Sequence, residues 1–348
     1  MKVLLYFENH KTIRKSGIGR ALKHQIRACE LSNIEYTLNP KDSFDIAHIN
    51  TYGPKSYSLL KKCHKKHIPV IVHGHSTIED FKDSFRCWKL MSKFFYPALR
   101  RMYKNADYIV TPTAYSKRLI ENYGYNKKVY AVSNGIDIHG YDRVEEYKDI
   151  FRNYFHLNEN EKVVIGLGLP FKRKGLHDFF EIAREMKDVK FIWFSHLNPI
   201  LQSHFIRKAI KHRPSNAIMA GYVEDFKVVK GAFQNADCFL FPSYEENEGI
   251  VTLEALASKC PALIRDIGVY KDWLHDGIDC YKAKNNEEFI AKLKHILTSS
   301  NQDIVDTGYE VAKSRDINIV GSQIKEVYQE VLDQYKNKCM PKRFPSYR

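Results

Sequence analysis

Apolar runs of strand length, each followed by a stretch of helical period, recur along this chain and restrict its fold more than any other feature. Residues 2–7, 45–50, 70–73 and 108–111 read as strands. Their near-continuous apolar content, rather than an in–out alternation, is what a strand covered on both faces needs. Helical patterns fill the intervals at 19–31, 57–66, 85–104 and 115–123, with Pro97 predicting a kink in the third. After Asn134-Gly-Ile-Asp the chain turns polar to about residue 160, which reads as a connection. A second series follows, with strands at 163–168, 191–194, 217–220, 238–241 and 262–265 and helices at 176–186, 205–212, 226–235 and 252–258. Such alternation calls for parallel sheets with helices on both faces. With 348 residues, the chain exceeds what one core holds and suits two α/β domains. The expected division is 1–155 and 156–320, followed at 321–348 by an amphipathic helix and a basic, proline-broken tail.

Composition narrows the setting. No apolar run is long enough to span a bilayer. The opening Met1-Lys-Val-Leu-Leu-Tyr-Phe is a strand pattern without the charged start and cleavage site of a signal peptide. Seven scattered cysteines without C-x-x-C pairing suit reduced thiols in a cytoplasm and argue against a disulfide framework or zinc site. The net charge of +14 is uneven: residues 1–155 carry 27 Lys and Arg against 15 Asp and Glu, the remainder 28 against 26. A strongly basic half points to an anionic polymer or an anionic membrane surface as partner.

The polar segment that says most follows the strand at 238–241. Pro242 and Ser243 lead into Tyr244-Glu245-Glu246-Asn247-Glu248-Gly249-Ile250, and Glu254 lies one helical turn further on. A loop at the carboxyl edge of a parallel sheet is where such folds bind ligands. Its carboxylates can grip sugar hydroxyls, and amides at the helix start can face an anion. A solvated acidic loop capping an ordinary helix would read the same way. Lys172-Arg173-Lys174-Gly175 also stands between strand and helix, as a diphosphate site should, though alone it is equally a basic surface loop. Gly17 and Gly19, in the first strand-to-helix loop, would let the backbone approach a phosphate. Leu22 occupies the third position of a G-x-G-x-x-G string, so a plain tight turn fits as well.

Together with Ser16-Gly17-Ile18-Gly19-Arg20, Pro69-Val-Ile-Val-His-Gly-His75, Thr113-Ala-Tyr-Ser-Lys, Asn134-Gly135-Ile136-Asp137 and the stretch 221–281, these strings resemble the family-4 retaining glycosyltransferases over nearly the whole chain. The resemblance implies the α/β GT-B fold: two Rossmann-like, doubly wound domains, an interdomain cleft, and a C-terminal helix crossing back to the first domain. For a UDP-sugar donor it implies that Glu246 contacts the sugar and Glu254 the ribose. Main-chain amides of Asn247, Glu248, Gly249 and Ile250 would wrap the pyranose and phosphate, and Tyr222 and Val223 would border the uracil. It also implies that Lys174 neutralises phosphate and that His75 lies near the reacting carbon, with His73 its competitor and a purely structural histidine the alternative. His75, Glu246 and Lys174 are thus the catalytic candidates. The family's usual arginine is replaced by Leu169, leaving Arg173 or Lys172 to substitute, and its Gly-Phe after the first glutamate is Asn247-Glu248 here. Glu79 and Asp80 are acceptor-site candidates. No Asp-x-Asp pair occurs, so no cofactor and no obligatory divalent metal is expected.

Acceptor choice falls to the basic half. Besides Lys61-Lys-Cys-His-Lys-Lys66, residues 86–104 mix Trp88, Leu90, Met91, Phe94, Phe95 and Tyr96 with Arg86, Lys89, Lys93, Arg100, Arg101 and Lys104. That is the composition of a helix lying on anionic lipid, an amphipathic core helix with solvated lysines being the alternative. A lipid acceptor follows, and Gly-Leu-Pro-Phe-x-Arg-Lys-Gly at 168–175 resembles the bacterial diglycosyl-diacylglycerol synthases. The expectation is transfer of glucose or galactose from a UDP-hexose to monoglucosyl-diacylglycerol, on the inner face of the cell membrane. A lipid-linked capsule, exopolysaccharide or teichoic-acid precursor is the other acceptor. A nucleic-acid-binding protein would explain the charge, but the chain has no RNP string, helix-turn-helix or zinc spacing.

Overall fold

The computed structural model describes residues 1–8 and 17–339. Ser16 of the first glycine string and the basic tail after Cys339 lie outside the described residues. The first half of the chain runs β1 (Lys2–Tyr6), α1 (Gly17–Leu31), β2 (Glu35–Thr37), β3 (Ile46–Ile49), α2 (Pro54–Lys65), β4 (Val70–His73), α3 (Ile78–Phe81), α4 (Trp88–Asn105), β5 (Tyr108–Thr111), α5 (Ala114–Asn122) and β6 (Lys128–Ala131). The second runs α6 (Glu146–Tyr154), β7 (Val163–Leu167), α7 (Leu176–Glu185), β8 (Lys190–Phe194), α8 (His204–Lys211), β9 (Ala217–Gly221), α9 (Phe226–Asn235) and β10 (Cys238–Phe241). It continues with α10 (Ile250–Ala257), β11 (Ala262–Arg265), β12 (Tyr281–Ala283), α11 (Asn286–Thr298), α12 (Gln302–Lys313) and α13 (Ile317–Cys339).

Two six-stranded sheets result, in the orders β2-β1-β3-β4-β5-β6 and β12-β11-β10-β7-β8-β9. Neighbouring strands are parallel throughout, as in Val163 opposite Lys190 and Phe239 opposite Ala262. Every residue of β3, β4, β5, β10 and β11 is buried, which is why these strands are apolar runs. β2 and β6, at the edges of their sheet, and the short β12 carry polar residues, and no strand was expected at any of the three. The order reverses between β1 and β3 in one sheet and between β7 and β10 in the other, the switch points where such sheets hold ligands.

The chain divides into two compact units, one of Met1–His75, Phe95–Asn134 and the segment from Ile317, the other of Ser76–Phe94 and Gly135–Asp316. The division thus falls at Asn134/Gly135 and Asp316/Ile317, not near 155 and 320. The polar stretch read as a connection contains α6, which packs on α9 in the second unit. Gly231 allows that closeness, because a Cβ there would run into the Tyr147 carbonyl. Of α6 only Phe151 is fully buried, but Tyr147, Ile150, Phe151 and Tyr154 recur at helical spacing, a signal in the sequence that its polar neighbours obscured. Ser76–Phe94 joins the second unit through Arg86 N donating to Leu201 O at 3.0 Å and Phe85 edge-on to Phe171 at 4.8 Å. α13 belongs to the first unit, where Val320, Ile324, Val327, Tyr328 and Val331 share a core with Val3, Leu5 and Cys29. Gly321 lets it approach α1 at Ala28 and Ser32. The core of the second unit gathers Phe179, Phe180, Phe191, Trp193 and Phe289.

Candidate functional site

At the switch point of the second unit two loops run side by side. One leaves β7 and passes through a 3-10 turn, Lys172–Lys174, into α7; the other leaves β10 at Pro242 and reaches α10 through the acidic segment. Lys174 Nζ pairs with Glu246 Oε1, and the Ser243 hydroxyl donates to the same oxygen at 2.7 Å. The ammonium also lies 5.2 Å from the Phe241 ring centroid. Both side chains are largely buried, at 14% and 9% exposure. Burial pulls Lys174 below the ordinary lysine range, while the Glu246 carboxylate opposes that shift. A buried ion pair persists when each charge keeps its partner and extra hydrogen bonds, as here. Ser243 was not among the candidates, although a hydroxyl directly after a buried strand at the sheet's carboxyl edge is a signal that could have marked it.

Arg173 ties this loop down. Its Nε donates to Ser84 Oγ at 2.8 Å and its Nη1 to the Glu245 carbonyl at 2.9 Å, while Tyr244 N donates to the Arg173 carbonyl at 2.7 Å. The guanidinium offered as a substitute for the family arginine at Leu169 is thus engaged within the protein. Lys172 is exposed, 5.6 Å over the Phe205 ring. Asn247 Nδ2 donates to Asp80 Oδ2 at 2.6 Å. Burial pushes the Asp80 carboxyl up to about 6, against the pull of Arg173 and Lys174. A raised acid pKa means that the folded state binds this proton more tightly than the unfolded chain. That stabilisation is complete below about pH 4 and is lost as pH rises through about 6. Asp80→Asn should flatten this descent in urea midpoints measured from pH 4 to 6.5; parallel curves for wild type and variant would refute the assignment.

Gly249, the N-cap of α10, adopts φ +83°, and a Cβ there would strike the Tyr270 hydroxyl. It turns the chain so that the first amides of α10, beginning at Ile250, end the acidic loop. Glu248 and Glu254 are both buried, and the Tyr141 hydroxyl donates to Glu254 Oε1 at 2.7 Å. Tyr222 is exposed and Val223 half-buried after β9. Behind the loop, Arg265 donates to Asp178 Oδ2 at 2.8 Å and to the Pro242 carbonyl at 3.1 Å, and its guanidinium lies 4.0 Å over the Tyr244 ring. This buried pair anchors the end of β10; contacts between such distant positions leave no local pattern.

In the first unit, His75 Nε2 lies 2.7 Å from Asn50 Oδ1 and its ring stacks on His73 at 3.8 Å. His73 is buried and 3.1 Å from His48 Nε2, whose Nδ1 meets Tyr328 OH at 2.7 Å. Burial pushes His48 and His75 down to about 3 and His73 well below the usual range, so all three are neutral near pH 7. Of the two competitors, half-buried His75 is the one at the surface, while His73 is internal. Gly17 is exposed at the start of α1, with open space where a Cβ would stand, and Gly19 is buried. The candidates therefore gather as Lys174, Arg173, Glu246, Asn247 and Asp80 in one unit, and as His75 in the other.

Along α4, Lys89, Leu90, Met91, Lys93, Phe94, Arg100 and Arg101 are exposed, while Leu99, Met102 and Tyr103 are buried. Trp88 is half-buried, and half-buried Phe95 stands edge-on to Tyr52 at 6.2 Å. The outward apolar residues are therefore Leu90, Met91 and Phe94, rather than Trp88 and Phe95. Arg101 lies 4.4 Å over the Tyr57 ring, and α4 continues through Pro97. Among the described residues no helix is long and apolar enough to cross a membrane.

Residues 20–139 match the family described as Glycosyltransferase Family 4, and residues 148–311 match Glycosyl transferases group 1. The chain is 50% identical over 333 residues to the processive diacylglycerol alpha-glucosyltransferase of Acholeplasma laidlawii, covering 95% of this chain and 99% of that protein. It is 24% identical to the alpha-galactosylglucosyldiacylglycerol synthase of Streptococcus pneumoniae, covering 74% of this chain and 69% of the relative. Among solved structures, sucrose-phosphate synthase of Thermosynechococcus elongatus superposes with a TM-score of 0.79 at 12% identity, over 96% of this chain and 100% of that one. HepE of Anabaena, in complex with UDP and glucose, superposes at 0.75 and 14% identity, over 95% and 100%. At such identities the structures speak for the fold alone.

Proposed function

The chain belongs to the family-4 glycosyltransferases, with the GT-B fold, and from that premise we propose that it moves glucosyl residues from UDP-glucose to diacylglycerol and its monoglucoside at an anionic membrane surface. The observation that carries this reading is the likeness, over nearly its full length, to a diacylglycerol glucosyltransferase. The basic, apolar exposed face of α4 supports a lipid-borne acceptor.

In this reading the donor diphosphate lies at the β7/β10 switch point. Lys174 and the first amides of α10 face its oxygens, and the Glu246 carboxylate accepts from sugar hydroxyls. Transfer proceeds on one face of the sugar: the C1–O bond to the phosphate breaks, and the acceptor oxygen bonds to C1. The acceptor's proton passes to the departing phosphate oxygen. The protein positions the partners and stabilises the negative charge that grows on the leaving group. By the family resemblance His75, neutral near pH 7, is the candidate hydrogen-bonding group for the sugar or the acceptor. Cationic side chains and helix amides supply the neutralisation, so a chelator leaves the rate unchanged. Because each product still carries free hydroxyls, it can accept again.

The test supplies labelled UDP-glucose and UDP-galactose separately, with diacylglycerol or its monoglucoside in phosphatidylglycerol-containing mixed micelles. Label should enter both lipids from UDP-glucose, with and without EDTA. Glycosylation confined to soluble or polyprenyl-linked acceptors would overturn the reading.

A further inference from the structure

We propose that the loop and helix from 195 to 211 form, together with the first turns of α4, a second bilayer-inserting surface, seated on the unit that holds Lys174 and Glu246. The inference rests on the lipid-surface reading above and extends it to a different part of the molecule.

Ile200, Leu201 and Phe205 are 72%, 45% and 47% exposed, and Leu90, Met91 and Phe94 are 58%, 40% and 75% exposed. Singly exposed apolar residues are ordinary, but a contiguous group rimmed by polar residues marks an interaction surface. The two groups are joined: Arg86 N donates to Leu201 O at 3.0 Å, Phe85 packs edge-on against Phe171, and neighbouring Lys172 lies over the Phe205 ring.

The loop is also shaped rather than slack. Leu201 N donates to the Asn198 carbonyl at 2.9 Å, Ile200 N to Asn198 Oδ1 at 3.0 Å, and buried Gln202 Nε2 to the Leu197 carbonyl at 2.7 Å. Ser203 then caps α8, whose Ile206 is fully buried, so Phe205 and Ile200 are held outward by a satisfied turn. A protein that spends its hydrogen bonds on presenting isoleucine and phenylalanine to water has an apolar destination for them.

Charge selects which destination. Neither 85–94 nor 195–213 contains an Asp or Glu, whereas Arg86, Lys89, Lys93, Lys172 and Lys208 are exposed. Cations around protruding aliphatic and aromatic side chains match an anionic bilayer, whose headgroups take the charge while its acyl region takes the hydrophobes. The consequence is mechanical. Docking would hold the unit bearing the phosphate-neutralising lysine against the lipid surface through both the loop at 195–201 and the first turns of α4, which belong to that same unit.

The experiment is co-sedimentation with vesicles of phosphatidylcholine containing phosphatidylglycerol, at low and high salt, with UDP binding by calorimetry as the fold control. Wild type should bind, and I200D/L201D should lower the partition coefficient by about tenfold or more while UDP affinity stays unchanged. I200W in the presence of bromo-lipids gives a second readout: its fluorescence should be quenched. Equal partition of I200D/L201D and wild type, with I200W unquenched, would overturn this surface while a binding defect in Phe94→Asp left the α4 reading standing. Wild type that ignores the vesicles altogether would overturn the lipid-surface reading itself.

Discussion

Replacing Lys174 by methionine should lower kcat for glucosyl transfer by about 10²- to 10³-fold, the usual loss when one group aimed at developing charge is removed. Methionine keeps the length and apolar stem, so packing against Phe241 persists while the ammonium disappears. The same change strands the Glu246 carboxylate in a site where it is 9% exposed, with Ser243 as its remaining donor among these contacts. Breaking one half of a buried pair costs about 3–5 kcal/mol. A fall in thermal midpoint would therefore accompany the fall in rate, and the two must be separated. Adding Glu246→Gln removes the stranded charge: K174M/E246Q should regain most of the lost midpoint yet remain inactive. Scanning calorimetry and radiolabelled UDP-glucose turnover measure the two quantities. If both single variants turn over within about threefold of wild type, the leaving-group role given to this pair is wrong.

Gly175→Ala should be severely damaging for a one-carbon addition. Gly175 sits between Lys174 and α7 at φ +71°, and a Cβ built there lies inside the contact distance of the Pro242 carbonyl. The left-handed conformation costs an L-residue about 1–2 kcal/mol, and crowding against backbone adds about 1–3 kcal/mol. Backbone cannot rotate out of the way as a side chain can. Relief requires the β7 loop and the β10 end to separate, which moves Lys174 from Glu246. Thermal midpoint should drop on the order of 10 °C, and turnover should fall with it. Gly17→Ala is the contrast, since nothing lies within 4 Å of a Cβ there; its midpoint should not move. A Gly175→Ala protein as stable and active as wild type would mean that the two loops need not meet.

What could be read from the chain follows from how local each signal is. β3, β4, β5, β10 and β11 are covered on both faces, so each announces itself as a mainly apolar run without in–out alternation. β2, with Glu35 exposed, and β6, with Lys128 and Ala131 exposed, lie at sheet edges and look like loop. α6 buries only Phe151, and its place in the second unit depends on Gly231, far away in α9. The loops bearing Lys174 and Glu246 were legible as sites because strand, polar loop and helix follow one another within one short stretch.

From sequence alone came two parallel α/β series, the family, and the positions where phosphate and sugar chemistry could sit, because periodicity and motif spacing are properties of neighbouring residues. Only the folded chain decided that Ser243 and Lys174 share one oxygen of Glu246, that Arg173 is engaged with Ser84 and Glu245, and that Asp80 reaches Asn247. It also decided that Phe95 turns toward Tyr52 while Ile200 faces solvent. Each of these depends on which distant segments the sheet order brings to one edge, and on which face of an amphipathic stretch finds a neighbour.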